Sequence, residues 1–179
     1  MSAARTALLV IDLQVGVLEG CFDAAGVVAR TMALVQRARS ASVPVLWVQH
    51  EDEALLHGSP AWRLAPGLLP VADEVAISKT YRDAFADTPL RTVLDGMGVT
   101  RLVVAGAQSD YCIRATTQRA VAEHYSLTLV SDAHTTTDAS CDGVEITGEQ
   151  VVAHTNGYFR GLRHPGVSIG IATHDVVAL

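Results

Sequence analysis

Residues 7–12, Ala-Leu-Leu-Val-Ile-Asp, form an uninterrupted apolar run that stops at a carboxylate. Short runs of this kind are typical of strands buried on both faces, which occur in parallel sheets. Segments with helical spacing separate the runs, so we predict a doubly wound α/β fold with a six-stranded parallel sheet and helices on both faces. The expected strand order is 3-2-1-4-5-6. The other five runs lie at residues 44–49, 75–77, 102–105, 127–130 and 167–172.

Two helix starts have clear signals. Thr88 precedes Pro89 as a cap before a proline at the first helical position, and Thr147 opens a capping box. The segment from Glu51 to Glu74 contains three prolines and is predicted to be a functional loop or a cover over a site. The predicted helices run from Val27 to Ala41, from Thr88 to about Met97, from Cys112 to His124 and from Thr147 to about Arg160.

Composition limits the classes of function. The 179 residues suit a single domain, residues 1–179, and 49% hydrophobic against 18% charged residues argues against disorder. Nineteen acidic and thirteen basic residues give a net charge of -6, which argues against nucleic acid or an anionic membrane as partner. We expect a cytoplasmic protein, since no membrane span or signal peptide is recognisable. The high apolar content and a late amphipathic helix favour a homodimer or higher homo-oligomer.

Three reactive side chains follow predicted strands. Asp12 ends the first strand, Lys79 ends the third, and Cys112 follows the loop after the fourth. Ligands of open parallel sheets bind beyond the carboxyl ends of the strands, so an acid, a cation and a thiol are predicted at one edge. The third strand is two places from the first, about 10 Å, and a lysine side chain can cross most of that gap.

The surroundings of Cys112 predict an activated nucleophile. A helix N-terminus and Lys79 are expected to lower the thiol pKa, while Asp12 accepts the thiol proton and returns it to a leaving amine. The backbone N–H groups of Gln108 and Cys112 are candidates for an oxyanion hole.

Asp110 is interpreted as a cap of the Cys112 helix, with membership of the site as the alternative. Considered without its motif, Cys112 would be interpreted as a buried core thiol. Cys21 and Cys141 are interpreted as bystanders.

The chain resembles the isochorismatase-like cysteine hydrolase family from about Thr6 to Asp175. Each of its four motifs is weak alone, but together, in order and at these spacings, they are specific. The motifs are Leu9 to Gln14; Ser78-Lys79 with Ala84 to Leu90; Val104 to Ile113 with Thr116; and Leu129 to Thr136.

The resemblance implies an Asp12-Lys79-Cys112 triad and a cis peptide between Ala107 and Gln108. Family members that cleave the vinyl ether of isochorismate lack the cysteine, whereas those with it cleave amide, carbamoyl or ureido C–N bonds. The motifs look nearest to a streptothricin-hydrolase-like or amidohydrolase branch. We therefore expect hydrolysis of a small amide-like substrate through a thioester, without a cofactor. A thiol-based sensor or binding protein on the same fold is the alternative. On the basis of family resemblance and loop position, the candidates for the pocket wall are Gln14, Trp62, Phe85 and Tyr111.

A histidine-rich segment raises the question of a metal. Nicotinamidases are similar elsewhere but carry an aspartate two residues before a histidine, whereas here His50 precedes Asp52. The reversed order predicts a solvated polar loop and no metal, and it disfavours nicotinamide as substrate. His57 leaves open a weak metal site with His50 and Asp52.

Overall fold

A computed structural model describes residues 5–179. Six parallel strands form one sheet, and when they are counted along the chain their order in the sheet is 3-2-1-4-5-6, which confirms the predicted topology. The strands are β1 (Thr6–Ile11), β2 (Val45–His50), β3 (Val75–Lys79), β4 (Arg101–Ala107), β5 (Ser126–Thr135) and β8 (Ile169–Ala172). The helices are α1 (Ala24–Ser40), α2 (Leu90–Gly96), α3 (Arg114–Ala122) and α4 (Gly148–Gly161). A short antiparallel hairpin that the sequence did not predict consists of β6 (Ala139–Cys141) and β7 (Val144–Ile146).

The sheet separates two hydrophobic cores. Alternate residues of β1 point to opposite faces, so Leu8 and Val10 pack towards α1 while Leu9 and Ile11 pack towards α2, α3 and α4. All four side chains are buried, as the continuous apolar run requires of a strand covered on both sides. The predicted covering of both faces by helices is confirmed.

The helix starts differ in how well local signals predicted them. The capping box is present, because the side chain of Thr147 accepts from Gln150 N and the Gln150 side chain accepts from Thr147 N. The prediction for α2 was one residue early: Pro89 is the N-cap, and Thr88 Oγ1 accepts a 3.3 Å bond from Leu90 N.

The start of the helix after β4 was also placed wrongly. A π-helical turn occupies Ser109–Ile113, and α3 begins only at Arg114. Cys112 therefore lies within a wide turn rather than at the first residue of an α-helix. Turns of this kind are rare in proteins, and those that occur often lie at functional sites.

Close contact between β1 and β4 depends on Gly106. Its φ is 143°, and a Cβ there would lie 2.0 Å from the carbonyl oxygen of Ile11. The register of β5 also shifts here: Val104 pairs with Leu129, but Gly106 pairs with His134. The strand that leads to Cys112 thus lies directly against the residue before Asp12, and His134 is drawn towards the same strand end.

The segment after β2 runs back along the residues that follow β1. Gln14 and Leu64 form an antiparallel bridge, and Ala65 N donates to Leu13 O at 2.8 Å. Residues 61–65 of this segment therefore lie beside the chain that leaves the carboxyl end of β1. None of the helices within residues 5–179 has the length and apolar character needed to cross a membrane.

Candidate active site

The structure brings Asp12, Lys79 and Cys112 together at the carboxyl edge of the sheet. Lys79 Nζ lies 2.7 Å from Asp12 Oδ2 and 3.3 Å from Cys112 Sγ. The side chains of Asp12 and Lys79 are completely buried. Asp12 has φ 50°, a left-handed conformation that is uncommon for a residue with a side chain and is often found at functional sites. A buried ion pair therefore lies beside a half-buried thiol.

The pKa of the Cys112 thiol shifts in the opposite direction to the one expected from the sequence. Burial and the adjacent Asp12 carboxylate raise the pKa of Cys112 to about 12, although Lys79 acts in the lowering direction. Burial likewise raises the pKa of Asp12 above its ordinary value, and the charge of Lys79 opposes this. The predicted lowering of the Cys112 pKa was wrong because desolvation and a like charge outweigh the lysine. Cys112 is therefore a neutral thiol at rest, beside the Asp12 carboxyl group.

The loop before Cys112 has an unusual backbone. The peptide bond between Ala107 and Gln108 is cis, and Gln108 is extended, with φ -95° and ψ 150°. The Gln108 side chain donates to Val17 O at 3.1 Å, which ties this loop to the segment after β1. Asp110 is not a helix cap as predicted. Its carboxylate accepts a 2.7 Å bond from Thr136 Oγ1, because the turn presents it to the residue after β5 and not to the free N–H groups.

A cavity of about 400 Å³ opens onto the thiol. Of the four residues predicted for its wall, Tyr111 lines it. Sequence reasoning did not single out Val17, Arg82 or Thr137, which carry no motif signal of their own. The lining residues are Asp12, Val17, His50, Asp52, Arg82, Gln108, Tyr111, Cys112 and Thr137.

The other three predicted wall residues lie elsewhere in the described chain. Gln14 is fully buried, and its amide bonds the backbone of His50 and Trp62, so it joins β2 to the following segment. Phe85 packs in the core, with its ring centroid 5.9 Å from that of Tyr125. Trp62 packs against His57, ring centroids 4.2 Å apart. The prediction that these three residues line the pocket was therefore wrong, because their side chains pack away from the cavity.

The candidate metal residues divide into two groups. His50 Nδ1 lies 3.3 Å from Lys79 Nζ, and His50 Nε2 lies 3.1 Å from Asp52 Oδ2, so both ring nitrogens are engaged with other side chains. His57 belongs to the other group, and its Nδ1 lies 2.7 Å from Glu51 Oε2. Within residues 5–179, no group of three or more His, Cys, Asp or Glu side chains has a metal-holding arrangement.

A second polar cluster lies behind the loop. Ser109 Oγ lies 2.7 Å from His134 Nδ1, and His134 Nε2 lies 3.1 Å from Asn156 Oδ1. Asn156 in turn donates to Ser131 O at 2.9 Å. Ser109 and His134 are buried, and burial lowers the pKa of His134. We call Ser109, His134 and Asn156 the sealed network.

The two remaining cysteines differ in position. Cys21 is half-buried, lies 3.6 Å from the side-chain nitrogen of Gln108 and forms a backbone bridge with Thr137, so it borders the site. Cys141 is exposed on the β6–β7 hairpin. Neither sulfur lines the cavity in the described part of the chain.

Comparison with known proteins identifies the family. The isochorismatase domain model matches residues 6–148. A streptothricin hydrolase from Streptomyces noursei is 37% identical over 138 residues, which cover 74% of this chain and 50% of that protein. The chain thus spans about half the length of the streptothricin hydrolases it matches.

Two further similarities extend over more of the relatives. A ureidoacrylate amidohydrolase from Methylobacterium radiotolerans is 28% identical over 175 residues, covering 74% of this chain and 68% of that protein. The crystal structure of an isochorismatase from Pseudomonas putida KT2440 has a TM-score of 0.88 and 26% identity, covering 97% of this chain and 90% of that one. The chain is a member of the isochorismatase family.

Proposed function

We propose that this protein hydrolyses a C–N bond of a small amide-like molecule, with Cys112 as nucleophile. The observation that carries the proposal is the contact of Lys79 Nζ with both Asp12 and the Cys112 sulfur at the floor of an open cavity. Similarity to a streptothricin hydrolase and a ureidoacrylate amidohydrolase supports hydrolysis of this bond type. A cavity of about 400 Å³ suits a small ligand.

The first half of the reaction forms a thioester. Asp12 takes the proton of the Cys112 thiol as the sulfur attacks the carbonyl carbon, which fits a thiol whose pKa is raised to about 12 and a neighbouring acid whose pKa is also raised. The carbonyl oxygen becomes an oxyanion held by the backbone N–H groups of Gln108 and Cys112. The C–N bond then breaks, and the nitrogen leaves as ammonia or an amine with the proton from Asp12.

The second half regenerates the enzyme. A water entering through the cavity gives a proton to Asp12 and attacks the thioester carbonyl. The C–S bond breaks, the carboxylic acid leaves, and Asp12 returns the proton to the Cys112 sulfur. Lys79 lies between the two groups, where its charge balances that of Asp12 and of the departing thiolate. No cofactor takes part in this sequence.

The Asp12 carboxylate beside Cys112 and the cavity that opens onto the sulfur favour this function over a thiol-based sensor. Redox-sensing cysteines have lowered pKa values and good exposure, because oxidation proceeds through the thiolate. Cys112 is half-buried and faces a carboxylate. Its environment suits a nucleophile that a base activates only when substrate is bound.

A panel of small primary amides, ureas and carbamoyl compounds tests the proposal. We expect release of ammonia or amine with at least one compound, and intact-mass analysis of quenched reactions should show an acyl group on the peptide that contains Cys112. The Cys141→Ala variant is the control, since that sulfur lies on the exposed hairpin. Turnover with no acylated Cys112, together with full activity of Cys112→Ala, would contradict the mechanism.

A further inference from the structure

We propose that Arg82 binds a carboxylate of the substrate, so that the preferred substrates are amides that carry an anionic group away from the scissile bond. The inference rests on the proposed function for the identity of that bond. Arg82 lines the same cavity as Cys112, and no carboxylate among residues 5–179 forms an ion pair with it. The nearby Asp83 faces Arg119 instead, at 3.7 Å.

The carboxylates of the cavity lining already have partners within the protein. Asp12 and Lys79 form a buried pair. Asp52 Oδ1 accepts bonds from Ala54 N and Leu55 N, both at 2.8 Å, while Asp52 Oδ2 lies next to His50. The carboxylates at the cavity wall are therefore committed to the protein. Arg82 is left as the cationic group of the lining that can receive an anion from the ligand.

The guanidinium is also held in place. Its central carbon lies 4.1 Å from the centroid of the Tyr111 ring, over the ring face. A contact with the ring face fixes the plane of the group and leaves N–H groups at its edge for a carboxylate, which they match in a bidentate manner. Tyr111 lies directly before Cys112, so the anion-binding group is tied to the nucleophile's own turn.

The backbone of Arg82 is also anchored to α3, the helix that follows the turn of Cys112. Thr116 is fully buried, donates to Arg82 O at 3.3 Å and accepts from Ala84 N at 3.0 Å. This residue lies about one helical turn after Cys112. Two independent contacts, one from the ring of Tyr111 and one from the hydroxyl of Thr116, thus hold Arg82 at a constant position relative to the sulfur.

Matched substrates test the inference. We would measure kcat/KM for monoamides of dicarboxylic acids, from malonamate to adipamate, and for the neutral diamides of the same lengths. The wild-type protein should prefer the acid of at least one length by about tenfold or more, as expected for a charged hydrogen bond. In Arg82→Gln the ratio of acid to diamide should fall to about one. Arg82→Lys, which keeps the charge and loses the fork, should give an intermediate ratio.

Arg160→Gln is the matched control, because Arg160 is exposed on α4, is not part of the cavity lining, and its loss changes the net charge equally. The wild-type preference should persist in this variant. Equal rates on acids and diamides in the wild-type protein, or an unchanged ratio in Arg82→Gln, would overturn the assignment of Arg82.

A binding measurement separates this inference from the proposed function. Calorimetric titration of wild-type and Arg82→Gln protein with the dicarboxylates malonate to adipate requires no turnover. Binding that is at least about tenfold tighter in the wild-type protein supports the role of Arg82 even where no amide is hydrolysed, in which case only the proposed reaction fails. Absence of Arg82-dependent binding across the whole series would overturn the anion site.

Discussion

The triad and the sealed network contain similar kinds of side chain but lie in different surroundings. Each contains a nucleophile-type side chain, a nitrogen group and an oxygen acceptor: Cys112 with Lys79 and Asp12, and Ser109 with His134 and Asn156. The triad contains a full ion pair and opens to a cavity, whereas Ser109 and His134 are buried outside the cavity lining. The two clusters therefore share residue types and differ in charge and in access to the cavity.

The third member of each set explains the difference in charge. Asp12 is a carboxylate that can take a proton, whereas Asn156 is an amide that accepts a bond from His134 and holds no proton for it. With the amide oxygen as acceptor, His134 Nε2 carries the hydrogen and Nδ1 accepts from Ser109. Burial lowers the His134 pKa and keeps the ring neutral. The network holds the loop that begins at Gln108 and has no charge to supply to a reaction.

Replacement of each nucleophile-type residue gives the largest expected contrast. Cys112→Ala should reduce kcat/KM by at least about a thousandfold, because no thioester forms. Ser109→Ala should keep most of the activity and instead lower the free energy of unfolding by about 1–3 kcal/mol, since His134 Nδ1 loses its buried partner. Ammonia release and urea denaturation measure the two effects. A Ser109→Ala protein as inactive as Cys112→Ala would erase the proposed distinction between the clusters.

Removal of the lysine should show how much the triad depends on charge balance. Lys79→Met leaves the carboxylate of Asp12 buried without its partner, which should cost about 3–5 kcal/mol of stability. Arg119→Met is a suitable comparison, because its ion pairs are half-exposed and should contribute less than about 1 kcal/mol. Equal losses in urea denaturation for the two variants would contradict a charged triad.

Alkylation should report the raised pKa of Cys112. At pH 8 we expect iodoacetamide to label Cys112 about a hundredfold more slowly than the exposed Cys141, because a pKa of about 12 leaves little thiolate. Peptide mapping over time measures both rates, and urea-denatured protein, in which the two should converge, is the control. Faster labelling of Cys112 in the folded protein would show that Lys79 outweighs burial and Asp12.

The pH dependence of stability should reveal the sealed network. The pKa of His134 is lowered from 6.5, so the unfolded chain binds the proton first as pH falls, and this part of the stability is lost below about pH 6.5. The loss has an upper limit of about 1.4 kcal/mol per pH unit. His134→Gln should lack this component. Parallel acid slopes between pH 7 and 5 for the two proteins would disprove a buried neutral histidine.

The sequence was sufficient for the architecture and for the meeting of the triad residues. The continuous apolar run of β1 can only be covered on both sides, and parallel strands bring the residues at their carboxyl ends to one edge, so Asp12, Lys79 and Cys112 had to approach one another. The capping box at Thr147 was equally predictable, because its hydrogen bonds connect residues three apart. In each case the determining pattern is local and periodic.

Only the tertiary structure decided the chemistry around these residues. The sign of the Cys112 pKa shift depends on how deeply the sulfur is buried and how near Asp12 lies, and neither is visible in a motif. Which of Gln14, Phe85 and Arg82 borders the cavity depends on side-chain direction across three separate segments. The place of His134 results from the register shift between β4 and β5. All of these arise from contacts distant in sequence, whose energies depend on packing and desolvation that no local pattern records.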